Sequence, residues 1–248
     1  MSEPDTSGAE KAEFRPLYAQ IEAQMTRRIG EGVWRPGELL PTEFELAAEF
    51  GVSQGTVRKA LIALEADKLI VRRQGVGTFV ARHESGAALF HFFRMTRADG
   101  TRVTPRSRLL RQGVVAATRE QARQLAVRPG ARLHEILRLR SIERRPAIYE
   151  RIFTPVALVP SLALPRNGEM EEEMYVIYQE RYGILIARAA EMLRATIATT
   201  AEARALGLDA GAPLLEISRV AHDVNGRPVE LRISRCDTRI WRYQADVY

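Results

Sequence analysis

One cysteine, Cys236, stands in 248 residues. A lone thiol cannot close an internal disulfide, so packing alone must hold the fold, and a reducing compartment suits it. The four histidines, His83, His91, His134 and His222, are scattered. They give neither a metal-ligand spacing nor, with the single thiol, a nucleophile–base pair. Lysine is nearly absent: Lys11, Lys59 and Lys68 are the whole complement, with none after residue 68. Pyridoxal phosphate chemistry, which needs a Schiff-base lysine, has nothing to attach to in the long remainder. No apolar run approaches the ~20 residues of a membrane span. The opening MSEPDTSGAEKAEF is acidic and rich in small residues, lacks the apolar stretch of a secretory signal, and reads as a disordered leader over 1–13. These absences predict a cytoplasmic protein with no cofactor, no metal and no membrane partner.

The formal net charge is +6. Its basic excess lies mostly after residue 83, however, so bulk charge does not single out a polyanion-binding segment, and residue placement must.

Residues 14–81 read as one small domain. Leu17, Ile21, Met25 and Ile29 recur every four residues after Pro16, the stripe of a first helix ended by Gly30 and Gly32. Trp34-Arg35-Pro36-Gly37 is a turn. Thr42 followed by Glu45 is a capping box that opens a second helix with Leu46, Ala47 and Phe50 on its apolar face, and Gly51 closes it. After Val52 alone, Ser53 caps a third helix whose inward residues are Val57, Leu61 and Leu64. Residues 69–73 and 78–80 form two short strands around the glycine-hinged turn Gln74-Gly75-Val76-Gly77. Two helices joined by a tight turn, then a basic hairpin, make a winged helix-turn-helix, whose second helix presents its N-terminal residues to the major groove. Those residues are Gln54, Gly55, Thr56, Arg58 and Lys59. Gln pairs with adenine, Arg with guanine or phosphate, Thr with a thymine methyl, and Gly55 admits a close backbone approach. Thr42, Glu43 and Ser53 sit at helix starts, where free N–H groups hold phosphates, and Arg73, Gln74, Gly75 and Gly77 form the wing. Double-stranded operator DNA is the expected partner.

Residues 82–90 read as a linker and 91–248 as a second domain, which contains a faint repeat. Residues 122–138 and 203–219 both read A-x-x-L-x-[VL]-x-x-G-x-x-L-x-x-I-x-R, with Gly130 and Gly211 each eight residues before Arg138 and Arg219. A turn with Pro146 or Pro228 follows in each, then Glu150 or Glu230. Each copy parses as helix, glycine turn and two strands, which predicts an α+β domain on an antiparallel sheet. Between the copies, residues 170–182 look helical, and a strand follows Gly183.

Residues 16–81 resemble the GntR DNA-binding domain, most specifically in Leu40-Pro41-Thr42-Glu43, Thr56-Val57-Arg58-Lys59-Ala60-Leu61 and Gln74-Gly75-x-Gly77-Thr78-Phe79-Val80. Phe44 and Gln54 depart from it, since relatives often carry arginine at both. Fewer arginines there predict a shallower salt dependence of DNA binding. Residues 90–235, in RLRSIERRPAIYERIFTPVALVPSL, ERYGILIARAAEMLRA and LGLDAGAPLLEISRVAHDVNGRPVE, resemble the ligand-sensing UTRA domain of the HutC subfamily. That resemblance implies a chorismate-lyase-like α+β fold that senses without catalysing, and a homodimeric repressor whose operator affinity responds to a small-molecule effector. It also implies that Arg138 and Arg140, two apart on one strand face, hold the effector's anion. Glu150 and Glu230 would bind its hydroxyl or amide groups, with Tyr175, Glu173 and Cys236 in the pocket. By spacing alone, the same arginines and glutamates could simply pair across strands on a solvated face.

Two departures bear on the ligand: Glu173 stands where sugar-phosphate sensors carry serine, and Cys236 where they carry tyrosine. A carboxylate at 173 would repel a phosphate dianion by several kcal/mol if partly buried. The expected effector is therefore polar and singly anionic, a carboxylate bearing an amine or imidazole rather than a phosphosugar. Rival readings are an aminotransferase fusion, a chorismate-lyase-like catalyst and a sensor of the all-helical, metal-binding kind. Lysine content, the lack of a nucleophile–base set and the strand-rich segments argue against them in turn.

Overall fold

The computed structural model describes residues 15–82, 93–165, 168–170 and 172–245. The expected leader and all of the expected linker except Arg82 lie outside these residues, as do His83, His91 and Glu171.

Helix α1 (Leu17–Gly30) buries Ile21, Met25 and Ile29. Leu17, expected on that stripe, opens the helix and is half exposed. Helix α2 (Glu43–Phe50) starts from the expected box, with Glu45 N donating to Thr42 Oγ1 at 3.3 Å and Thr42 N to Glu45 Oε2 at 2.8 Å. It ends at Gly51 in the left-handed region (φ 65°), where a side chain would be strained. Helix α3 (Gln54–Ala66) starts at Ser53, whose Oγ accepts from Thr56 N at 3.2 Å. Strands β1 (Ile70–Arg73) and β2 (Gly77–Val80) pair antiparallel, and Leu39 bridges to Phe79 along the outer side of β2. Leu46, Leu61 and Leu64 are enclosed at the centre of these elements. Each such side chain stabilises the fold by roughly 2 kcal/mol.

The second unit is a seven-stranded antiparallel sheet in the order β7-β4-β5-β6-β10-β9-β8. Its strands are β4 (Pro105–Ala116), β5 (Arg132–Ile142), β6 (Arg145–Pro155), β7 (Glu169–Met170), β8 (Ile186–Ile197), β9 (Pro213–Asp223) and β10 (Pro228–Cys236). Strands β3 (Met95–Thr96) and β11 (Arg242–Tyr243) form a separate pair. The sheet rules out an all-helical sensor. Helices α4 (Arg119–Gln124) and α6 (Thr200–Leu206) begin with matching capping boxes at Thr118 and Thr199. Helix α5 (Met174–Tyr182) begins four residues later than its pattern suggested, because Met170 is drawn into β7 by pairing with Ser107.

The internal repeat is real and longer than the sequence showed. Both halves run strand–helix–strand–strand, β4-α4-β5-β6 and β8-α6-β9-β10, and the halves meet where β6 pairs with β10. Gly130 and Gly211 occupy equivalent turns at φ 80° and 81°. The repeat aligned Glu150 with Glu230, but the register does not. Glu150 lies opposite Arg138, whereas Arg232 lies opposite Arg219: both hairpins carry a register shift, between Arg140 and Ser141 and between Pro228 and Glu230, but the second turn, closed by Asp223 N donating to Arg227 O, is one residue longer than the first, closed by Ile142 and Arg145.

Period-2 alternation sorts the sheet into two faces. Leu133 and Leu139 of β5 pack into the clusters that hold the helical residues Ala122 of α4 and Ala203 and Leu206 of α6. On the opposite face, Ile136 of β5 packs with Met174, Tyr175 and Tyr178 of α5. At one end the sheet touches α1–α3: Leu185 belongs to their core, and Val224 packs against it. The β9–β10 turn presses so closely on α1 that a Cβ at Gly30 would lie 2.5 Å from Asn225 Nδ2 and 2.8 Å from Val224 Cγ2.

Candidate functional sites

The helix-turn-helix displays its polar residues as the sequence foretold. Gln54, Gly55, Arg58 and Lys59 are exposed along the outer side of α3, while Val57, Ala60 and Leu61 face inward. The Ser53 and Thr56 hydroxyls lie 2.9 Å apart, so the cap and the first turn are tied together. Arg58 is not idle: its Nε and Nη2 both donate to Glu43 Oε2, at 2.9 and 2.8 Å, and this carboxylate raises the guanidinium's pKa further. Glu43 thus orients Arg58 across the gap between α2 and α3. A Cβ at Gly55 would meet only Ser53 Oγ, at an ordinary 3.7 Å, so no steric demand within the protein requires glycine there. In the wing, Arg73 packs over the Phe79 ring at 4.9 Å, Gln74 and Gly75 are exposed, and Gly77 (φ 142°) lies against Leu39. Arg72 lies between Glu65, at 3.3 Å, and Glu43, at 3.9 Å. Phe44 is 69% exposed beside these groups.

The second constellation lies on the α5 face of the sheet. Arg138 and Arg140 project from β5, Glu150 from β6, Glu230, Arg232 and Cys236 from β10, and Arg219 from β9. All of them are buried. The arginines and glutamates do pair across strands, but on no solvated face. Arg138 Nε donates to Glu150 Oε2 at 2.5 Å, and Ser234 Oγ donates to Glu150 Oε1 at 2.8 Å. Arg232 grips Glu230 through Nε and Nη2, at 2.7 and 3.0 Å. Tyr178 of α5 donates to Glu230 at 2.9 Å and meets Thr154 at 2.7 Å. Tyr175 lays its ring under Arg232, 5.2 Å from the guanidinium carbon, and burial and Glu230 raise its hydroxyl pKa against the opposing pull of Arg219 and Arg232. Glu173, just ahead of α5, reaches down to Arg140 Nη2 at 2.6 Å and to Arg138 Nη1 at 3.5 Å.

The electrostatics follow from this packing. Burial alone would raise the Glu150 pKa, but Arg138, Arg232 and Arg140 outweigh it and hold the carboxyl well below its ordinary range. Glu173 shows the same contest of burial against Arg140 and Arg138, and is lowered. Burial brings Arg140 down to about 10, despite Glu173. Burial, with Glu150 nearby, pushes the Cys236 thiol up, leaving it protonated and inert.

The pairing is incomplete. Arg138 Nη1 and Nη2, Arg140 Nε and Ser107 Oγ are buried without a hydrogen bond. Ser107 stands opposite Arg140 in the β4–β5 register, so these donors gather on two adjacent strands. A buried donor left unmet costs about 1–3 kcal/mol, more when charged.

Sequence reasoning missed Ser107, Tyr178, Arg219 and Arg232. Arg219 was within reach as the repeat partner of Arg138. Tyr178 required the face that α5 turns to the sheet, and Arg232 the longer β9–β10 turn that sets its register.

Residues 17–80 match the gntR family of bacterial regulatory proteins, and residues 85–240 match the UTRA domain. The transcriptional repressor NagR of Bacillus subtilis is 34% identical over 216 residues, covering 87% of this chain and 88% of NagR. The mannosyl-D-glycerate transport/metabolism system repressor MngR of Escherichia coli is 29% identical over 233 residues, 92% of this chain and 95% of MngR. The histidine utilization repressor of Pseudomonas aeruginosa is 30% identical over 207 residues, 82% and 80% of the two chains. Among solved structures, the ligand-binding domain of a GntR-family regulator from Bordetella bronchiseptica superposes with a TM-score of 0.60 at 25% identity, covering 68% of this chain and 100% of that one. PhnF from Mycobacterium smegmatis shares the fold across 92% of this chain and 99% of its own, at 24% identity and a TM-score of 0.55.

Proposed function

Because the chain belongs to the GntR family of bacterial regulators, with a UTRA effector domain behind its DNA-binding head, we propose that it is a homodimeric repressor released or tightened by a small, singly charged anion bound at Arg138 and Arg140. It is a DNA-binding regulator and not an enzyme. No helix among the described residues is long and apolar enough to cross a membrane, and operator DNA places its work in the cytoplasm. Gln54, Thr56 and Arg58 read bases; Thr42, Glu43, Ser53, Gly55, Lys59, Arg73, Gln74, Gly75 and Gly77 lie where backbone and phosphate pass. A two-fold protein matches a palindromic operator, which is the ground for a dimer.

The observation that carries the effector reading is the set of buried donors without partners on Arg138, Arg140 and Ser107. Glu150 and Glu230 take up polar groups of the ligand, and Tyr175 and Cys236 close the pocket. Glu173 argues for a carboxylate over a phosphosugar. Two relatives are named as repressors of a mannosyl-D-glycerate system and of histidine utilization, and both of those compounds carry a carboxylate. Calorimetric titration with phosphosugars and with small amino- or imidazole-bearing carboxylates tests this, and tight phosphosugar binding overturns it. The paired substitution Arg138→Ala with Arg140→Ala is expected to abolish the effector response in an operator gel shift while leaving operator binding intact. An unchanged response would mean that the pocket lies elsewhere.

A further inference from the structure

Glu173 does a job that its position in the chain does not require. It stands at the N-cap of α5 yet makes no side-chain capping bond, unlike Thr42, Ser53, Thr118 and Thr199, which cap four of the other five helices. Both of its oxygens turn to the sheet instead, one to Arg140 Nη2 at 2.6 Å and the other towards Arg138 Nη1 at 3.5 Å. Arg138 already has Glu150, and Arg232 already has Glu230. Arg140 has only Glu173 within ion-pair distance among the described residues. The longer contact leaves both Nη atoms of Arg138 without a hydrogen bond, although that side chain is fully buried. The carboxylate thus fills part of an anion seat and satisfies it poorly. Its side chain remains 19% exposed, at the rim of an otherwise sealed cluster, so it has a route to water.

We propose that Glu173 is a resident carboxylate that an effector's anionic group displaces from Arg140 and Arg138. The inference rests on reading these arginines as the effector's anion site and adds the rule of exchange. One carboxylate leaves for solvent and one enters, so the charge of the buried cluster is unchanged and a singly charged end group is selected. A dianion would add a charge that no free arginine balances. Loosening Glu173 also acts on α5, whose far end reaches the DNA-binding head. There Glu180 pairs with Arg82 at 2.7 Å, and after Gly183 the chain buries Leu185 in the core of α1–α3.

The test uses the full chain and sulfate, a dianion that wild type should bind poorly. In calorimetric titration, Glu173→Gln and Glu173→Ser are expected to bind sulfate at least tenfold more tightly than wild type, and Glu173→Asp, which keeps the charge, to stay near wild type. A carboxylate that only packed α5 onto the sheet, out of reach of the anion, would not give tighter binding on removal. Unchanged or weaker sulfate binding in both neutral variants, with thermal melts showing them folded, overturns the displacement. Adding Arg138→Gln and Arg140→Gln to Glu173→Gln is expected to remove the gain. A gain that survives those changes places the anion elsewhere and overturns the reading of the site itself.

Discussion

Arg58 joins the two functions of a charged side chain, since it is held by Glu43 before any DNA is present. The two hydrogen bonds to one Glu43 oxygen keep the guanidinium extended from α3, so less rotamer freedom is lost when it meets a base. Arg58→Ala is expected to weaken operator binding by about 1–3 kcal/mol and to relax specificity at one base pair, as measured by fluorescence anisotropy at fixed salt. Glu150 offers a test by pH. Its folded pKa lies below the unfolded one, so its stabilisation is complete above the ordinary carboxylate range and is lost as pH falls through the folded value. Urea unfolding midpoints should therefore drop as pH is lowered from about 5 towards 3. Glu150→Gln should flatten that drop while costing about 3 kcal/mol at neutral pH, because it strands Arg138 in the interior.

Elements carried by local chemistry were legible in the sequence. The capping box at Thr42, the left-handed Gly51 and the Ser53 cap fix α2 and α3 within a few residues, and all three stand in the structure. What escaped depends on contacts distant along the chain. Met170 offered a helical pattern but was taken by β4, and Glu230 offered a repeat match, but the longer second turn puts Arg232 opposite Arg219 instead. The site arginines were legible as a pair on one strand. Their burial was not, because it depends on α5 roofing the sheet. Helix α3 itself makes a two-signed prediction. Gly55 lies in its first turn, with a negative φ and open space beside it. Gly55→Ala should raise thermal stability by up to about 1 kcal/mol through helix propensity. With α3 in the major groove as proposed, the same change should weaken operator binding, because the added methyl group would meet the DNA backbone. A gain in stability with unaltered operator affinity would show that α3 does not lie that deep.

At the scale of the whole molecule, the two units meet through the turn at Val224 and Asn225, on the same hairpin that carries Arg219, Glu230 and Arg232. Gly30→Ala probes that contact. Were α1 free on this side, alanine would stabilise it by about 1 kcal/mol. Against Asn225 and Val224 it should instead force the units apart, read as faster amide exchange around residues 222–226 and a lower first melting transition. A simple rise in melting temperature would show that the contact is dispensable.

The meeting of β6 with β10 at the middle of the sheet also bears on how the chain is made. The first half leaves the ribosome with the inner side of Arg145–Pro155 bare, and its mate, Pro228–Cys236, is translated only after the whole of β8, α6 and β9. Until then the nascent chain offers an open strand to any neighbour on the same polysome, a hazard of aggregation or swapped dimers that slow translation between the halves would prolong.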